Sequence, residues 1–255
     1  MNILSKILFA IFLVLGLSSC TGNLTSVRHS GDYLNNITRY QNIVILPPEV
    51  EVFSVAGSNK KKRLYDYELH LEDVIKSNVS QYLEAKGFRV TFLTRRDIQN
   101  KELYGDVLRF KTDYSEKVKN IYKTALIDKK KAFDTNVNIM NTKPIGKITN
   151  SDLILVVEYS SFFKTTGAKT LEFMQTVLIG AFTGYISSSG DDQRADMLIT
   201  LIDSKTGDFV WSNNTLITNN INAGRNSIKE QNKIDNKRLK LMLNILFKPF
   251  MFSKN

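Results

Sequence analysis

The sequence predicts a single α/β domain in which a mixed β-sheet is flanked by helices, and three observations support this prediction. Residues 42–46 and 153–157 are short apolar runs with the length of buried strands. Between them, residues 66–85 carry apolar side chains at helical spacing. Later, residues 195–217 alternate on both sides of a turn that contains glycine, which indicates a β-hairpin.

Residues 1–19 have the pattern of a cleaved export signal. Lys6 supplies a positive charge, and an unbroken apolar run follows from Ile7 to Leu17. This run is too short to cross about 30 Å of hydrocarbon, which needs roughly 20 apolar residues. Small residues and the single cysteine of the chain close it, as Leu17-Ser18-Ser19-Cys20. An apolar core between a positive residue and small residues predicts a signal peptide.

The Leu-Ser-Ser-Cys ending resembles the lipobox of bacterial lipoproteins. The resemblance implies diacylglyceryl attachment to Cys20, cleavage before it, and N-acylation with a chain such as palmitate. Two or three acyl chains anchor a protein stably. Thr21, and not Asp, follows the cysteine. By the sorting rule of enteric lipoproteins this implies the outer membrane, with the domain facing the periplasm; the rule varies between bacteria, so the inner membrane stays open.

The mature chain is basic, with a net charge of +10 over the whole sequence. A positive surface favours anionic lipid headgroups, lipopolysaccharide or peptidoglycan, and the export signal argues against nucleic acid. The densest basic runs are Lys60–Arg63 and Lys129–Lys131. No aromatic residue is interleaved with them, so we expect solvated loops or helix ends.

The first half of the mature chain reads as a polar tether over residues 20–41, followed by the domain over residues 42–255. The expected elements are a strand at 42–46 stopped by Pro47-Pro48, an extended or edge segment at 49–55, a charged loop at 57–63, a helix at 66–85 with Gly87 as its left-handed cap, and a strand at 88–93. Strand, helix and strand in this order predict a βαβ unit.

The second half repeats the mixture of helices and strands. We expect partly helical structure from residue 95 to 150, with a long polar connection at 128–147, a buried strand at 153–163, a hairpin of strands 195–203 and 209–217, a loop at 219–236, and an amphipathic helix at 238–250.

The hairpin formed by Ala195–Asp203 and Lys205–Trp211 resembles that of envelope lipoproteins related to the curli secretion channel CsgG, the penicillin-binding-protein activator LpoB and the N-terminal domain of TolB. Residues 43–51, with their Pro-Pro ending, resemble the first strand of an uncharacterised proteobacterial branch of that group. The resemblance covers most of the mature chain in order, and its motifs are structural. It implies that Asp203, Thr206 and Gly207 shape a turn and that Trp211 packs in the core.

Catalytic and metal-binding patterns are missing from the sequence. His29 and His70 have no second ligand at metal spacing. Gly167–Thr170 lacks the full phosphate-loop pattern, and a Gly-x-Ser-x-Gly elbow does not occur. Asp191-Asp192 follows a Ser-rich stretch and reads as a solvated loop. We therefore expect no enzyme activity, no cofactor, no metal and no small-molecule substrate.

An apolar insert, Leu171–Ile186, is the most informative feature of the mature chain. As a helix it would be apolar most of the way round, so it must be buried against something. It could pack in the core of the domain, contact a partner, a second copy or the bilayer, or form a membrane hairpin. The hairpin has the least support because barrel strands alternate and this segment does not. The candidate contact residues are Phe173, Met174, Val177, Leu178, Ile179, Phe182 and Tyr185.

These observations predict a lipid-anchored, non-enzymatic scaffold or partner-binding component of the cell envelope, with itself or another envelope protein as the partner. The anchor would raise the effective concentration near membrane partners. Two alternatives remain: a secretion or pore component, and an activator of peptidoglycan synthesis.

Overall fold

The fold is seen in a computed structural model that describes residues 24–25, 27–31, 37–55, 61–127, 137–164, 193–218, 228–248 and 250. Its strands are β1 (Leu24–Thr25), β2 (Arg28–His29), β3 (Asn42–Ile45), β4 (Glu49–Val55), β5 (Lys61–Arg63), β6 (Arg89–Phe92), β7 (Leu153–Lys164), β8 (Gln193–Asp203) and β9 (Phe209–Thr218). Its helices are α1 (Tyr65–Ala85), α2 (Arg95–Asn100), α3 (Tyr104–Ile127), α4 (Thr142–Thr149) and α5 (Ile228–Phe247), with a 3₁₀ turn at Ile37–Arg39.

The nine strands in the described residues belong to one mixed sheet, which confirms the predicted fold class. Strands β7, β8 and β9 form a long antiparallel centre, and β1 and β2 pair with β9 at one edge. On the other side of β7, the parallel pairs β3–β7 and β3–β6 give the order expected of a βαβ unit. Strand β4 also runs parallel to β7, and β5 closes its outer side in antiparallel fashion.

Strands β3 and β4 lie end to end along β7, and two prolines separate them. Ile45 pairs with Leu155 and Glu49 with Glu158, so the three residues between Ile45 and Glu49 face only two residues of β7. The extra residue makes a bulge at Pro47-Pro48, where proline has no N–H to donate to β7. Strand β4 thereby occupies the space beyond the carboxyl end of β3, where open α/β sheets usually bind ligands.

Helices cover both faces of the sheet. Helix α1 turns its apolar stripe to one face, ends at a Gly87 with φ of 86°, and packs there beside α5. Helices α2, α3 and α4 cover the opposite face. The core on the α1 side includes Leu71, Ile75, Val79, Leu83, Leu155, Ile199, Trp211, Leu239, Met242, Leu246 and Phe247. The core on the α3 side includes Val44, Leu103, Phe110, Tyr114, Val118, Ile145, Ile154, Leu198, Ile202 and Phe209.

Four expectations differ from the structure. The predicted tether at 20–41 contains β1 and β2, which extend the sheet by pairing with β9. The predicted loop at 57–63 includes β5, whose residues pair with β4 despite their low strand propensity. The predicted polar connection at 128–147 contains the start of α4, in spite of Pro144 near its first turn. The predicted loop at 219–236 contains the first two turns of α5.

Candidate functional site

Most of the residues predicted to have a functional role lie outside the described part of the chain. These are Cys20 and the seven candidate contact residues, Phe173, Met174, Val177, Leu178, Ile179, Phe182 and Tyr185. Their lipidation and contact roles therefore remain predictions. The described strands nevertheless show where the flanking chain leaves the sheet.

The hairpin turn is held by hydrogen bonds among its own residues. Asp203 Oδ1 accepts hydrogen bonds from the backbone N–H groups of Lys205 at 2.7 Å and Thr206 at 2.8 Å. Gly207 has φ of 82°, a conformation that favours glycine, and its N–H donates to the Asp203 carbonyl at 2.9 Å. These contacts give Asp203, Thr206 and Gly207 structural roles.

Trp211 lies in an aromatic cluster on the α1 side of the sheet. It is fully buried, stacks on Phe247 with ring centroids 6.1 Å apart, and meets Phe250 edge to face at 4.9 Å. The cluster fastens α5 to β9, and the side-chain amide of Asn213 adds a 2.8 Å bond to the carbonyl of Leu246.

The end of the sheet that carries this turn, which we call the turn end, also holds Asp152. Its Oδ2 accepts from the backbone N–H groups of Gln41 at 3.0 Å and Asn42 at 3.1 Å, and Lys205 Nζ lies 3.3 Å from Oδ1. Burial favours a raised pKa for Asp152, but the backbone hydrogen bonds and Lys205 outweigh it and lower the pKa. Tyr40 donates to Asp203 at 2.9 Å, and its pKa is raised by burial and by that hydrogen bond. The polar groups of the turn end thus bind other parts of the same chain.

A cavity of about 390 Å³ lies beyond the carboxyl ends of β3 and β6, between α1 and α2. Its walls carry both signs of charge, and they pair with each other. Glu72 lies 2.6 Å from Arg95 and 3.7 Å from Lys76, while Lys76 lies 2.9 Å from Asp73. Arg96 also lines the cavity and takes part in none of these pairs, so the five charged wall residues carry a net charge of +1.

The opposite end of the sheet, which we call the insert end, is where β7 stops at Lys164 and β8 begins at Gln193. The predicted apolar insert belongs to the connection between these two residues. At the same end, Leu24 of β1 pairs with Leu216 near the close of β9. Cys20 precedes Leu24 by four residues. The predicted anchor and the predicted contact segment therefore join the fold at one end of the sheet.

Buried polar residues lie next to the insert end on the face that α3 also contacts. Ser160 of β7 pairs with Asp196 of β8. Two positions nearer the turn end, Leu198 of β8 lies between Glu158 of β7 and Asn214 of β9. The four polar residues, Glu158, Ser160, Asp196 and Asn214, are at most 8% exposed. In the described part of the chain, Ser160 Oγ and Asn214 Oδ1 have no hydrogen-bond partner.

Closer to the centre of the sheet, buried hydroxyls form a connected group. Tyr114 donates to Thr200 Oγ1 at 3.1 Å, Tyr122 and Ser212 share a 2.8 Å bond, and Thr200 and Ser212 are 3.1 Å apart. Burial raises the pKa of both tyrosines, so they stay protonated at neutral pH. Sequence reasoning missed these polar residues because the alternation of a strand usually places its polar side chains on a solvent-facing side of the sheet. The available signal was the interruption of β8 by Asp196 and of β9 by Asn213-Asn214.

Among the described residues, no three or more His, Cys, Asp and Glu side chains are grouped to hold a metal ion. None of the described helices combines the length and the apolar character needed to cross a membrane.

Comparison of the sequence finds no match, either with a family model or with a curated protein. The predicted resemblance to the CsgG, LpoB and TolB group therefore remains a prediction.

Solved structures give distant similarities. They include a PelC dodecamer from Paraburkholderia phytofirmans at 12% identity, covering 86% of this chain and 95% of that one with a TM-score of 0.36. A DUF4136 family protein from Bacteroides thetaiotaomicron has 10% identity, with 91% and 98% covered and a TM-score of 0.36. A lipoprotein from Neisseria meningitidis has 12% identity, with 80% and 96% covered and a TM-score of 0.33. At these values the similarities assign neither a family nor an activity.

Proposed function

We propose that this protein is a lipid-anchored, non-enzymatic scaffold or partner-binding component of the bacterial envelope, and that its insert end faces the membrane. The observation that carries the proposal is the pairing of Leu24 with Leu216. It brings the chain to the insert end four residues after the predicted lipidation site at Cys20.

The short distance along the chain limits how far the domain can move from its anchor. Four extended residues reach about 14 Å at most. Each buried methylene of an acyl chain contributes about 0.8 kcal/mol, so two or three chains on Cys20 hold the protein durably. The insert end then stays close to the bilayer surface, and the turn end points away from it.

The contact surface in this proposal is the apolar insert, Leu171–Ile186. Its flanking strands end at Lys164 and Gln193, at the end of the sheet that the anchor reaches. Removing the apolar surface of this segment from water is favourable. Membrane attachment also raises the effective concentration of the segment near partners, or near a second copy, in the same membrane. Thr21 after the lipidated cysteine favours the outer membrane.

A non-enzymatic role is supported by how the described polar groups are used. The carboxylates of Asp152 and Asp203 bind backbone N–H groups of the same chain. The hydroxyls of Tyr114 and Tyr122 bond to neighbouring hydroxyls, and their raised pKa values make them weak proton donors. General acid–base catalysis favours groups that titrate near the working pH.

Cell fractionation tests the anchor. Wild-type protein is expected in the outer-membrane fraction, and Cys20→Ala should move it out of all membrane fractions. Thr21→Asp is the matched control, because it leaves the cysteine intact and by the enteric sorting rule should shift the protein to the inner membrane. Cys20→Ala protein that stays in the outer membrane would contradict the proposal.

Crosslinking in intact cells tests the scaffold role. Wild-type protein should give defined crosslinked species, either with an envelope protein or with a second copy. These species should weaken for Cys20→Ala expressed at the same level. If the protein is membrane-bound but gives no crosslinked species, the result would support the lipid anchor and contradict the scaffold role.

A further inference from the structure

We infer that the cavity between α1 and α2 binds a small amphipathic anion, whose carboxylate or phosphate group meets Arg95 and Arg96 and whose apolar part covers Leu69. The ligand is bound and not converted, so the inference goes beyond the proposed scaffold role and does not rest on it. Three observations carry it: the position of the cavity in the fold, the charge of its walls and the exposure of the leucine.

The cavity lies where the chain leaves two neighbouring strands towards opposite faces of the sheet. Strands β3 and β6 are adjacent and parallel. After β3 the chain passes through β4 and β5 to α1 on one face, whereas after β6 it enters α2 and α3 on the other face. Pro47, shortly after β3, and Leu93, directly after β6, both line the cavity, while β4 fills only the space next to β7. Open α/β sheets bind ligands beyond the carboxyl ends of their strands at such a switch point.

The cavity has the size and the mixed walls of a small-molecule site. Its volume of about 390 Å³ lies within the roughly 300–1,000 Å³ that is usual for such sites. Pro47, Leu69 and Leu93 form its apolar part. The polar part comes from residues 94–96 and from the charged side chains of α1. Such walls fit a ligand with one charged end and one apolar end.

The charge of the walls favours an anion over a cation. Three cations and two carboxylates give a net charge of +1: Lys76, Arg95 and Arg96, with Glu72 and Asp73. Both carboxylates already have partners within the chain, since Arg95 lies 2.6 Å from Glu72 and Lys76 lies 2.9 Å from Asp73. A cationic ligand would have to compete with these side chains for the carboxylates, whereas an anionic ligand would not.

The two arginines can bind an anion and keep the contacts that they make within the chain. Only one nitrogen of Arg95, Nη1, contacts Glu72, and a guanidinium group carries five N–H donors. Arg96 acts on Asp97, whose pKa is lowered mainly by hydrogen bonds from Thr94. Guanidinium groups bind carboxylate and phosphate groups through pairs of N–H donors. An anion between Arg95 and Arg96 therefore adds hydrogen bonds without displacing an internal partner.

Leu69 places exposed apolar surface on the wall of this cavity. Its side chain is 58% exposed, whereas Leu71 and Ile75 of the same helix are buried in the core. Single exposed leucines are common on protein surfaces. This leucine, however, borders a cavity that also contains two arginines. A ligand whose apolar part covers Leu69 removes that surface from water, which is favourable.

Titration followed by amide chemical shifts tests the inference residue by residue. The complete mature chain from residue 20, carrying Cys20→Ser, is titrated with octanoate, octyl phosphate, inorganic phosphate and octylamine. Octanoate and octyl phosphate should shift the amide resonances of residues 69–76 and 93–96 in a saturable way, and the one that binds more tightly identifies the charged group. Octylamine and inorganic phosphate should bind at least about tenfold more weakly, because one lacks the negative charge and the other the apolar chain.

Matched substitutions test the two parts of the site separately. Arg96→Gln breaks none of the described ion pairs and should weaken octanoate binding about tenfold. Arg109→Gln is its control, because Arg109 is an exposed arginine 2.7 Å from Asp106 and does not line the cavity. Leu69→Gln should weaken octanoate binding about fivefold. Leu241→Gln, which replaces an exposed leucine of α5, should leave binding unchanged.

Three results would overturn the inference: equal shifts with octylamine and octanoate, no saturable shifts at residues 93–96, or equal loss with Arg96→Gln and Arg109→Gln. Inorganic phosphate that binds as tightly as octyl phosphate would also overturn it, because the apolar wall would then play no part. These outcomes are separate from that of the proposed function, since neither lipidation of Cys20 nor a crosslinked partner affects the titration.

Arginine labelling with phenylglyoxal gives an independent readout. With octanoate at about three times its dissociation constant, Arg96 should react about fourfold more slowly, because about a quarter of the sites stay free. Arg109 should react at the same rate with and without octanoate. An unchanged rate at Arg96 would contradict the site.

Discussion

Leu24 pairs with Leu216, and this pairing joins the amino-terminal end of the described chain to the end of the sheet where β7 and β8 connect through the apolar insert. The neighbouring pairs of Arg28 with Ser212 and His29 with Trp211 continue the same register. The sequence predicts a free tether up to residue 41, whereas β1 and β2 within that range pair with β9. The domain therefore starts almost immediately after the predicted anchor.

Asp152 is expected to stabilise the fold at neutral pH and to lose that effect in acid. Its carboxylate accepts two backbone hydrogen bonds and faces Lys205, so the pKa is lower in the folded chain than in the unfolded chain. A lowered carboxyl pKa contributes stability above the unfolded value, near 4, and that contribution disappears as the pH falls through the folded value. Asp152→Asn should therefore lower the free energy of unfolding by about 2 kcal/mol at pH 7.

Urea unfolding at pH 7 and at pH 3 checks this prediction. The difference between wild type and Asp152→Asn should shrink towards zero at the lower pH. Asp73→Asn is the control: that carboxylate is 79% exposed, faces only Lys76 among the described ion pairs, and should change stability by less than about 0.5 kcal/mol. A constant difference between wild type and Asp152→Asn at both pH values would refute the assignment.

Two helical glycines should respond differently to replacement by alanine. A Cβ on Gly146 would lie 2.6 Å from both Cβ and Oγ of Ser204, where α4 meets the hairpin turn. Overpacking of this kind costs about 1–3 kcal/mol. A Cβ on Gly105 would meet only the tip of the Arg109 side chain at 3.6 Å, and alanine is the better helix former.

Chemical denaturation of the two variants provides the measurement. Gly146→Ala should lower the midpoint, and Gly105→Ala should leave it unchanged or raise it slightly. The same loss in both variants would show that the contact with Ser204 does not limit the space at Gly146.

Phe247 should be among the most sensitive positions in α5. It is fully buried, stacks on Tyr82 of α1 at 4.4 Å, and also contacts Trp211. Phe247→Ala should cost about 3–5 kcal/mol, as is usual for a buried phenylalanine. Leu241 belongs to the same helix but is 48% exposed, so Leu241→Ala should cost less than about 0.5 kcal/mol. Because Trp211 is the only tryptophan, its fluorescence follows both unfolding transitions; similar midpoints for the two variants would contradict the packing of α5.

Replacing Val177, Ile179 and Phe182 with Ser tests the proposed contact segment. If the insert is a contact surface, these substitutions should weaken crosslinks in cells and change the melting temperature by less than about 2 °C, because surface substitutions alter stability little. A loss of ten degrees or more with this triple variant would instead indicate that the insert packs in the core of the domain.

Local patterns predicted the hairpin and α1 because each depends on nearby residues. The turn needs Asp203 and Gly207 within five positions, and the buried stripe of α1 repeats every three or four residues. By contrast, α4 contains Pro144 and Gly146, which usually argue against a helix, and its Ile145 is fully buried in the core on the α3 side.

Pairing across long stretches of chain was beyond sequence reasoning. The partners of β1 and β2 lie about 190 residues away, and two-residue strands leave no periodic pattern. The residues of β5 carry charges that disfavour strands, so only their pairing with β4 reveals them. The candidate site at the insert end depends on these distant pairings, so the sequence alone could name Cys20 and the insert but could not bring them together.

Mass spectrometry of the N-terminal peptide of the protein purified from membranes tests whether Cys20 anchors the domain. The peptide is expected to begin at Cys20 and to carry a thioether-linked diacylglycerol and an N-acyl chain. A mature protein that begins at another residue, or that retains an unmodified Cys20 thiol, would contradict this anchoring role.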